Sequence, residues 1–291
     1  MIQNVEFFMP GGPNGILLIH GLTGTPNEMR IIGKGLNRAG FTVYGMQLAG
    51  HCGNEDDLCQ TVWQDWYASV EKAAAFLQTK VERVFVSGLS MGALLALKLA
   101  ADQPELVKGV GVYGVTFRYD GWSMPGWAKH FFFLLTWLKR LGLFQKTSFI
   151  EQPPYGLKDD RIRATVEASM FSGDSTQAGL AGNPFAALAE MQYLAKIVRR
   201  QLPDVQTPCL IIHSGHDDIA DIDSNARIVE RYISGPSKFV VLDDSYHLVT
   251  IDRQRREVIL ETADFFQKII DAASADTCRE HADWPPFKKV A

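Results

Sequence analysis

Short apolar runs alternate with segments of helical period at both ends of the chain. The runs lie at 16–19, 42–48, 84–87, 109–115, 209–212 and 239–242. The helix-type segments lie near 27–39, 61–79, 91–102, 224–233 and 253–270. Continuous apolar runs are typical of strands that are buried on both faces, and their alternation with helices indicates repeated βαβ units. The pattern therefore predicts an α/β fold with a mostly parallel central sheet and helices on both of its faces.

The alternation stops in the middle of the chain. Residues 115–202 show no clear strand, are rich in aromatic side chains, and are interrupted by Gly and Pro. We interpret this segment as a helical cap inserted into a core formed by 1–114 and 203–272, with 273–291 as a C-terminal tail. A chain of 291 residues with 46% apolar content can bury one large core together with a smaller lobe.

Charge and hydropathy exclude several classes of partner. A formal charge of -4 argues against nucleic acid, which selects strongly basic surfaces. The cap contains eleven Lys or Arg and seven Asp or Glu, which is compatible either with steering of an anionic substrate or with an ordinary solvated surface. The longest strongly apolar stretch, 131–138, is far shorter than the ~20 residues of a spanning helix. With no signal-like N-terminus, we expect a cytoplasmic protein without a transmembrane segment.

The four cysteines do not suggest a metal site. Cys52 and Cys59 lie near His51, but no second ligand pair stands at a suitable spacing. In a cytosolic chain the thiols are expected to stay reduced. We therefore expect no metal site at these cysteines, and the serine chemistry inferred from the motifs below implies neither a metal nor an organic cofactor.

The segment Gly88-Leu89-Ser90-Met91-Gly92 joins the run at 84–87 to the helix-type segment at 91–102. This strand-turn-helix setting is typical of a nucleophile elbow, in which a serine occupies a very tight turn. Side chains two residues to either side would block the strand from the helix, and Gly88 and Gly92 avoid that clash. Ser90 is the candidate nucleophile.

A serine nucleophile requires a base and an acid that orients the base. Reacting groups gather at the carboxyl ends of parallel strands, so each partner should follow an apolar run. His247 follows the run at 239–242, and Asp217 follows the run at 209–212, in the chain order Ser, Asp, His. Asp218 and Asp221 share the loop of Asp217 and stay as alternatives for the acid.

The other histidines are weaker candidates for the base. His213 lies inside a predicted strand, His216 lies in a loop beside Asp217, His130 lies in the cap, and His281 lies in the tail.

The loop His20-Gly21-Leu22-Thr23-Gly24 follows the first apolar run. Its glycines allow the backbone to approach a substrate, so the N–H groups of Leu22 and Met91 are predicted to form an oxyanion hole. The alternative interpretation is a plain Gly-rich turn leading into a helix.

Together with His216-Asp217-Asp218 and Ser245-Tyr246-His247, these motifs resemble the bacterial carboxylesterase and monoacylglycerol lipase branch of the α/β-hydrolase superfamily, from about residue 14 to 270. The resemblance implies a serine hydrolase that cleaves small-molecule esters through Ser90, Asp217 and His247. It also implies that His20, Gly21 and His51 lie beside the substrate. Where the family often has Gly-His-Gly, this chain has Gly50-His51-Cys52.

Several functions use the same residues. A thioesterase, an acyltransferase or a C–C bond hydrolase would need the same three side chains, and a non-catalytic ligand-binding relative is a further alternative. The sequence leaves open the physiological substrate, the acyl chain length and the oligomeric state, a homodimer included.

Overall fold

The structure is a computed structural model that describes residues 2–124, 126, 134–141 and 147–282, with side chains as far as residue 275. Its strands are β1 (Phe7–Met9), β2 (Asn14–Ile19), β3 (Thr42–Gly45), β4 (Arg83–Leu89), β5 (Val107–Tyr113), β6 (Ser148–Ile150), β7 (Gly182–Pro184), β8 (Cys209–Ser214) and β9 (Ser237–Leu242). Its helices are α1 (Asn27–Arg38), α2 (Glu55–Cys59), α3 (Trp63–Gln78), α4 (Met91–Asp102), α5 (Leu135–Arg140), α6 (Asp160–Met170), α7 (Ser175–Ala178), α8 (Phe185–Gln201), α9 (Ala226–Tyr232) and α10 (Arg255–Ala282).

Seven strands form the central sheet in the order β1-β3-β2-β4-β5-β8-β9. All neighbours pair in parallel except β1, which runs antiparallel to β3 at one edge. The mostly parallel α/β sheet predicted from the sequence is confirmed. Because parallel strands end at the same edge, the loops that follow β2, β4, β5, β8 and β9 meet on one side of the sheet.

Both faces of the sheet are covered by apolar side chains. Alternate residues of β2 point to opposite faces: Leu17 and Ile19 belong to a core cluster with α3 and α4, whereas Ile16 and Leu18 belong to a second cluster with α1 and α10. Helix α4 contributes buried residues on nearly its whole circumference. The serine at its start therefore stands on a helix that is fixed on all sides.

The sequence analysis missed several elements. Strand β1 has three residues, and so do β6 and β7, which pair antiparallel within the predicted cap. Such short strands show no usable alternation. Helix α8 was placed in the cap, but Ala187, Met191 and Leu194 share the core cluster of α4, so this helix packs on the part of the molecule that carries the sheet. The closing helix, expected near 253–270, continues to Ala282.

Aromatic and leucine residues recur at helical spacing from Trp127 to Leu141, which predicts a helix there. The structure describes α5 at its C-terminal part, while Trp127 and Phe131 lie outside the described residues, as does His130.

Candidate active site

Ser90 lies between the end of β4 and the start of α4. Its backbone has φ 56° and ψ -115°, a region that non-glycine residues rarely adopt. The N–H of Ser90 donates to the carbonyl of Tyr113 at 2.9 Å, which ties the turn to the end of β5. A Cβ at Gly88 would overlap the carbonyl oxygen of Gly92, and one at Gly92 would overlap that of Ile19. The tight turn thus has the geometry that the glycine spacing predicts.

The Ser90 side chain is buried but faces a cavity. Among the described residues, its hydrogen-bond partner is Thr116, with the two hydroxyl oxygens 3.1 Å apart. Because the Thr116 hydroxyl donates to the carbonyl of Gly114 at 3.1 Å, the Ser90 hydroxyl is the donor of this pair. The histidine and the carboxylate predicted to act with Ser90 follow β8 and β9, which β5 separates from β4 in the sheet.

Asp217 and His247 form a buried pair at the ends of β8 and β9. The Nδ1–H of His247 donates to Oδ2 of Asp217 at 2.8 Å. Oδ1 of Asp217 accepts the backbone N–H groups of Ile219 at 2.9 Å and Ala220 at 2.8 Å, so the carboxylate is held on both sides. Burial disfavours the charged form of His247, but the Asp217 carboxylate outweighs it and raises the pKa of His247. Burial alone would raise the pKa of Asp217, but its interaction with His247 outweighs burial and lowers that pKa.

The structure distinguishes Asp217 from the other carboxylates of its loop. Asp218 is buried and accepts the backbone N–H of Gly156 at 3.0 Å and that of His247 at 3.3 Å. Burial and the neighbouring Asp217 raise the pKa of Asp218 to about 6. Asp221 is exposed and accepts backbone N–H groups of its own turn. Asp218 therefore links the histidine loop to the 153–157 segment, while Asp217 contacts the imidazole.

The loop after β2 approaches Ser90 closely. A Cβ built on Gly21 would lie 3.5 Å from the Cβ of Ser90, in ordinary van der Waals contact. Leu22 follows it in the cavity wall, and Met91 begins α4 directly after Ser90. Thr23 has φ 61°, and its carbonyl accepts the N–H of Leu180 at 3.1 Å. The loop that carries the Leu22 amide is thus attached to the cap.

His20 and His51 lie behind the cavity rather than in its described lining. The Nδ1–H of His20 donates to the carbonyl of Gly21 at 2.9 Å, and Nε2 accepts the N–H of Leu48 at 3.2 Å. The ring of His51 packs edge-on against those of His20 and Trp66, with centroids 5.0 and 6.0 Å away. These contacts support the loop that carries Gly21, and the substrate contact expected for His20 and His51 stays a prediction. Gly21 does line the cavity.

The cavity beside Ser90 has a volume of about 250 Å³. Ser90 and His247 both line it. One wall consists of aliphatic side chains from α1, α6 and the segment after β9: Ile31, Ile162, Val166, Met170, Leu248 and Ile251. An apolar wall beside a nucleophile is suited to hold a hydrocarbon group.

Two carboxylates line the same cavity. Glu28 accepts the backbone N–H of Gly21 at 3.4 Å, and its carboxylate packs against Gly24. Burial and the neighbouring Glu151 raise the pKa of Glu28 to about 7. The pKa of Glu151 is raised by burial as well, although Asn183 donates to its carboxylate at 2.7 Å. In their charged forms these two carboxylates disfavour an anionic group in the cavity.

The sequence analysis did not single out Thr116, Glu28, Glu151 or Asn183 as site residues. Thr116 follows directly after the predicted strand at 109–115, the position from which the other site residues were predicted, so that signal was available. Glu151 and Asn183 belong to the cap, whose path over the sheet the sequence does not indicate.

Within the described side chains there is no group of three or more His, Cys, Asp or Glu arranged to hold a metal ion. Cys52, Cys59 and Cys209 are free thiols, and the first and last are buried. Among the helices that the structure describes, none combines the length and apolar character needed to cross a membrane.

Comparison with known proteins places these features in a family. Residues 14–254 match the model of the serine aminopeptidase S33 family. The chain is 30% identical to a thermostable monoacylglycerol lipase of Bacillus sp. (strain H-257), covering 90% of this chain and 94% of that protein. It is 24% identical to a carboxylesterase of Bacillus subtilis (strain 168), covering 90% and 96%.

The fold is shared with solved structures. The monoacylglycerol lipase of Paleococcus ferrophilus superposes with a TM-score of 0.74 at 16% identity, covering 92% of this chain and 100% of that chain. The sheet order, the tight turn at Ser90 and the extent of the family match lead to one assignment: the chain belongs to the serine aminopeptidase S33 family and has the α/β-hydrolase fold.

Proposed function

We propose that the protein hydrolyses carboxylic esters by nucleophilic catalysis at Ser90. The observation that carries the proposal is the buried contact of 2.8 Å between His247 and Asp217, in the wall of the cavity that Ser90 also lines. A monoacylglycerol lipase and a carboxylesterase among the relatives support an ester as the substrate.

In the proposed reaction, the Ser90 oxygen attacks the ester carbonyl carbon while Nε2 of His247 takes the hydroxyl proton. Asp217 accepts the Nδ1–H of the imidazole, which fixes the tautomer and stabilises the imidazolium. The N–H groups of Leu22 and Met91 donate to the negative oxygen of the tetrahedral intermediate. The alcohol leaves with the proton from His247, and a water molecule activated by the same ring then releases the acid from Ser90.

The hydroxyl of Ser90 must turn from Thr116 towards His247 for the first step. Rotation about χ1 moves a serine oxygen between staggered positions, and catalytic hydrogen bonds are often formed only in the complex with substrate. Thr116 thus holds the hydroxyl in a resting orientation.

The cavity lining supports a neutral ester with an aliphatic acyl group. The aliphatic wall offers van der Waals contact to a hydrocarbon chain, whereas Glu28 and Glu151 disfavour an anionic substrate.

Labelling with a fluorophosphonate tests the nucleophile. We expect one label per chain, located on Ser90 by peptide mass analysis, and loss of both label and p-nitrophenyl butyrate hydrolysis in Ser90→Ala. Ser172→Ala, which removes an exposed hydroxyl in the cap, serves as the matched control and should retain both. A Ser90→Ala variant that hydrolyses the ester at the wild-type rate would refute the proposal.

A further inference from the structure

His213 lies on β8, four residues before Asp217, and its side chain is fully buried. Its Nε2 lies 2.9 Å from the carbonyl oxygen of Ala220 and 3.3 Å from Oδ2 of Asp217. The proposed reaction gives this ring no direct part.

The surroundings fix the proton of the His213 ring. Both neighbours of Nε2 are acceptors, so this nitrogen carries the hydrogen. It donates to the carbonyl of Ala220 at 2.9 Å, while Oδ2 of Asp217, at 3.3 Å, is in electrostatic contact with the N–H and is not hydrogen-bonded to it. The other nitrogen, Nδ1, is buried and has no hydrogen-bond partner among the described residues. A proton on Nδ1 would therefore be a buried donor without an acceptor. Burial lowers the pKa of His213, which agrees with a neutral ring that acts as a permanent donor.

Two imidazole N–H groups thus lie beside one carboxylate oxygen. Oδ2 of Asp217 accepts the Nδ1–H of His247 at 2.8 Å and lies 3.3 Å from Nε2 of His213. The other oxygen of Asp217 is already occupied by two backbone N–H groups. The partial positive charge of a second N–H beside Oδ2 weakens the attraction that this oxygen exerts on His247.

We propose that His213 is a positioning residue, which acts through Asp217 by placing its N–H beside Oδ2 and so offsetting part of the negative charge that would otherwise act on His247. The proposal rests on the function proposed above, since it gives His213 a role through the Asp217–His247 pair. Its effect is to keep His247 neutral, and hence able to accept a proton, at a lower pH.

The other charged groups around His247 make this effect measurable. Asp217, Asp218 and Glu151 all favour the imidazolium, and Glu28 interacts with the ring as well. His213 itself faces Asp217, His247 and, at the far side, Asp221. These carboxylates all raise the pKa of His247. In the proposed role, His213 limits the part of that increase that comes from Asp217.

A pair of amide substitutions separates the donor from the ring. In His213→Gln the amide nitrogen reaches the position of Nε2 and can still donate to the carbonyl of Ala220 while it presents an N–H to Asp217. In His213→Asn the side chain is too short to do so. We expect the acidic limb of kcat/KM for p-nitrophenyl butyrate to lie at the wild-type pH in the Gln variant. In the Asn variant it should move up by about 0.5 pH unit, roughly a threefold change in proton affinity.

A second readout does not depend on turnover. The Nδ1 proton of His247 should give a low-field proton NMR resonance whose position is the same in wild type and His213→Gln but different in His213→Asn. Thermal melting verifies that each variant is folded; if the Asn variant is not, His213→Leu takes its place in both measurements. The proposal would be overturned if a folded variant without the donor kept the acidic limb of kcat/KM and the His247 proton resonance of wild type. It would also be overturned if the Gln and Asn variants shifted both by the same amount.

The Ser90→Ala variant keeps the two proposals apart. If Ser90→Ala is inactive while the acidic limb of kcat/KM lies at the same pH in all His213 variants, the result supports ester hydrolysis at Ser90 and refutes the role of His213. If Ser90→Ala remains active, the proposed function itself fails.

Discussion

The hydroxyl of Thr23 lies 3.3 Å from the side-chain oxygen of Asn183, so the loop that carries the Leu22 amide is bonded to the cap. The Asn183 amide in turn donates to Glu151 at 2.7 Å. One buried side chain therefore connects the predicted oxyanion loop to a carboxylate of the cavity. A displacement of this part of the cap would also displace the loop beside Ser90.

We predict that Asn183→Ala lowers kcat for p-nitrophenyl butyrate by about tenfold, because the loop beside Ser90 loses a fixed attachment. The steady-state rate of the purified variant provides the measurement. Asn37→Ala removes an amide that bonds to the carbonyls of Pro10 and Phe41, far from Ser90, and should leave kcat unchanged. Equal rates for wild type and Asn183→Ala would show that the loop is held without the Asn183 side chain.

The choice of Asp217 as the orienting acid can be tested against its neighbour. Asp217→Asn should lower kcat by about 10⁴-fold, because an amide can donate to Nδ1 and so favours the wrong tautomer of His247. Asp218→Asn leaves the imidazole contact intact and should cost much less, since Asp218 contacts backbone N–H groups. Rates for both variants with the same ester give the comparison. A larger loss in Asp218→Asn would reverse the assignment.

Glu28 should make the stability of the protein dependent on pH. Its pKa is about 7 in the folded chain, against an ordinary value of 4.5 for a glutamate carboxyl, so the folded state binds the proton more tightly. The stabilisation from this group is complete below about pH 4.5 and is lost as the pH rises through 7.

Substitution by Gln should remove this dependence. We expect the difference in melting temperature between pH 5 and pH 8 to be smaller in Glu28→Gln than in wild type. Glu82→Gln, an exposed substitution just before the amino end of β4, should resemble wild type. The anionic p-nitrophenyl hemisuccinate should also gain relative to the neutral butyrate when Glu28 becomes Gln. A melting difference equal to that of wild type would contradict the pKa assigned to Glu28.

The aliphatic wall should set the acyl length. Val166→Trp fills part of the cavity, so hydrolysis of p-nitrophenyl octanoate should fall by at least about tenfold relative to the acetate. The ratio of kcat/KM for the two esters gives the result. Leu260→Trp introduces the same residue on the exposed side of α10 and serves as the control, in which the ratio should be that of wild type. If Val166→Trp changed the kcat/KM of the octanoate and the acetate by the same factor, the acyl group would not lie against the aliphatic wall.

The sequence was sufficient for the sheet and for the position of Ser90. Long apolar runs indicate strands that are buried on both faces. The glycines at 88 and 92 indicate a tight turn, because a larger residue at either position would clash with the backbone. These signals are local. Strands of three residues, such as β1, are held by pairing with distant segments and leave little local trace.

Side-chain direction was the part that the sequence did not determine. His51 belongs to a segment that resembles one beside the active site, yet its ring points inward against Trp66, next to Cys52 at φ 62°. Glu28 lies near the start of α1, and the sequence does not indicate that its carboxylate turns into the cavity, where it contacts Gly21 and Gly24. Both orientations depend on packing between segments that are far apart in the chain.

The polypeptide leaves the sheet after β5 and re-enters it at β8, which is the adjacent strand. The excursion between them, which carries Glu151, Asn183 and much of the aliphatic wall, begins and ends without separating the strand ends that bear Ser90, Asp217 and His247. Segments of different length or composition can therefore replace one another there during evolution while the reacting groups keep their positions. A lineage built on this plan can acquire new substrates by exchanging one continuous stretch of its gene.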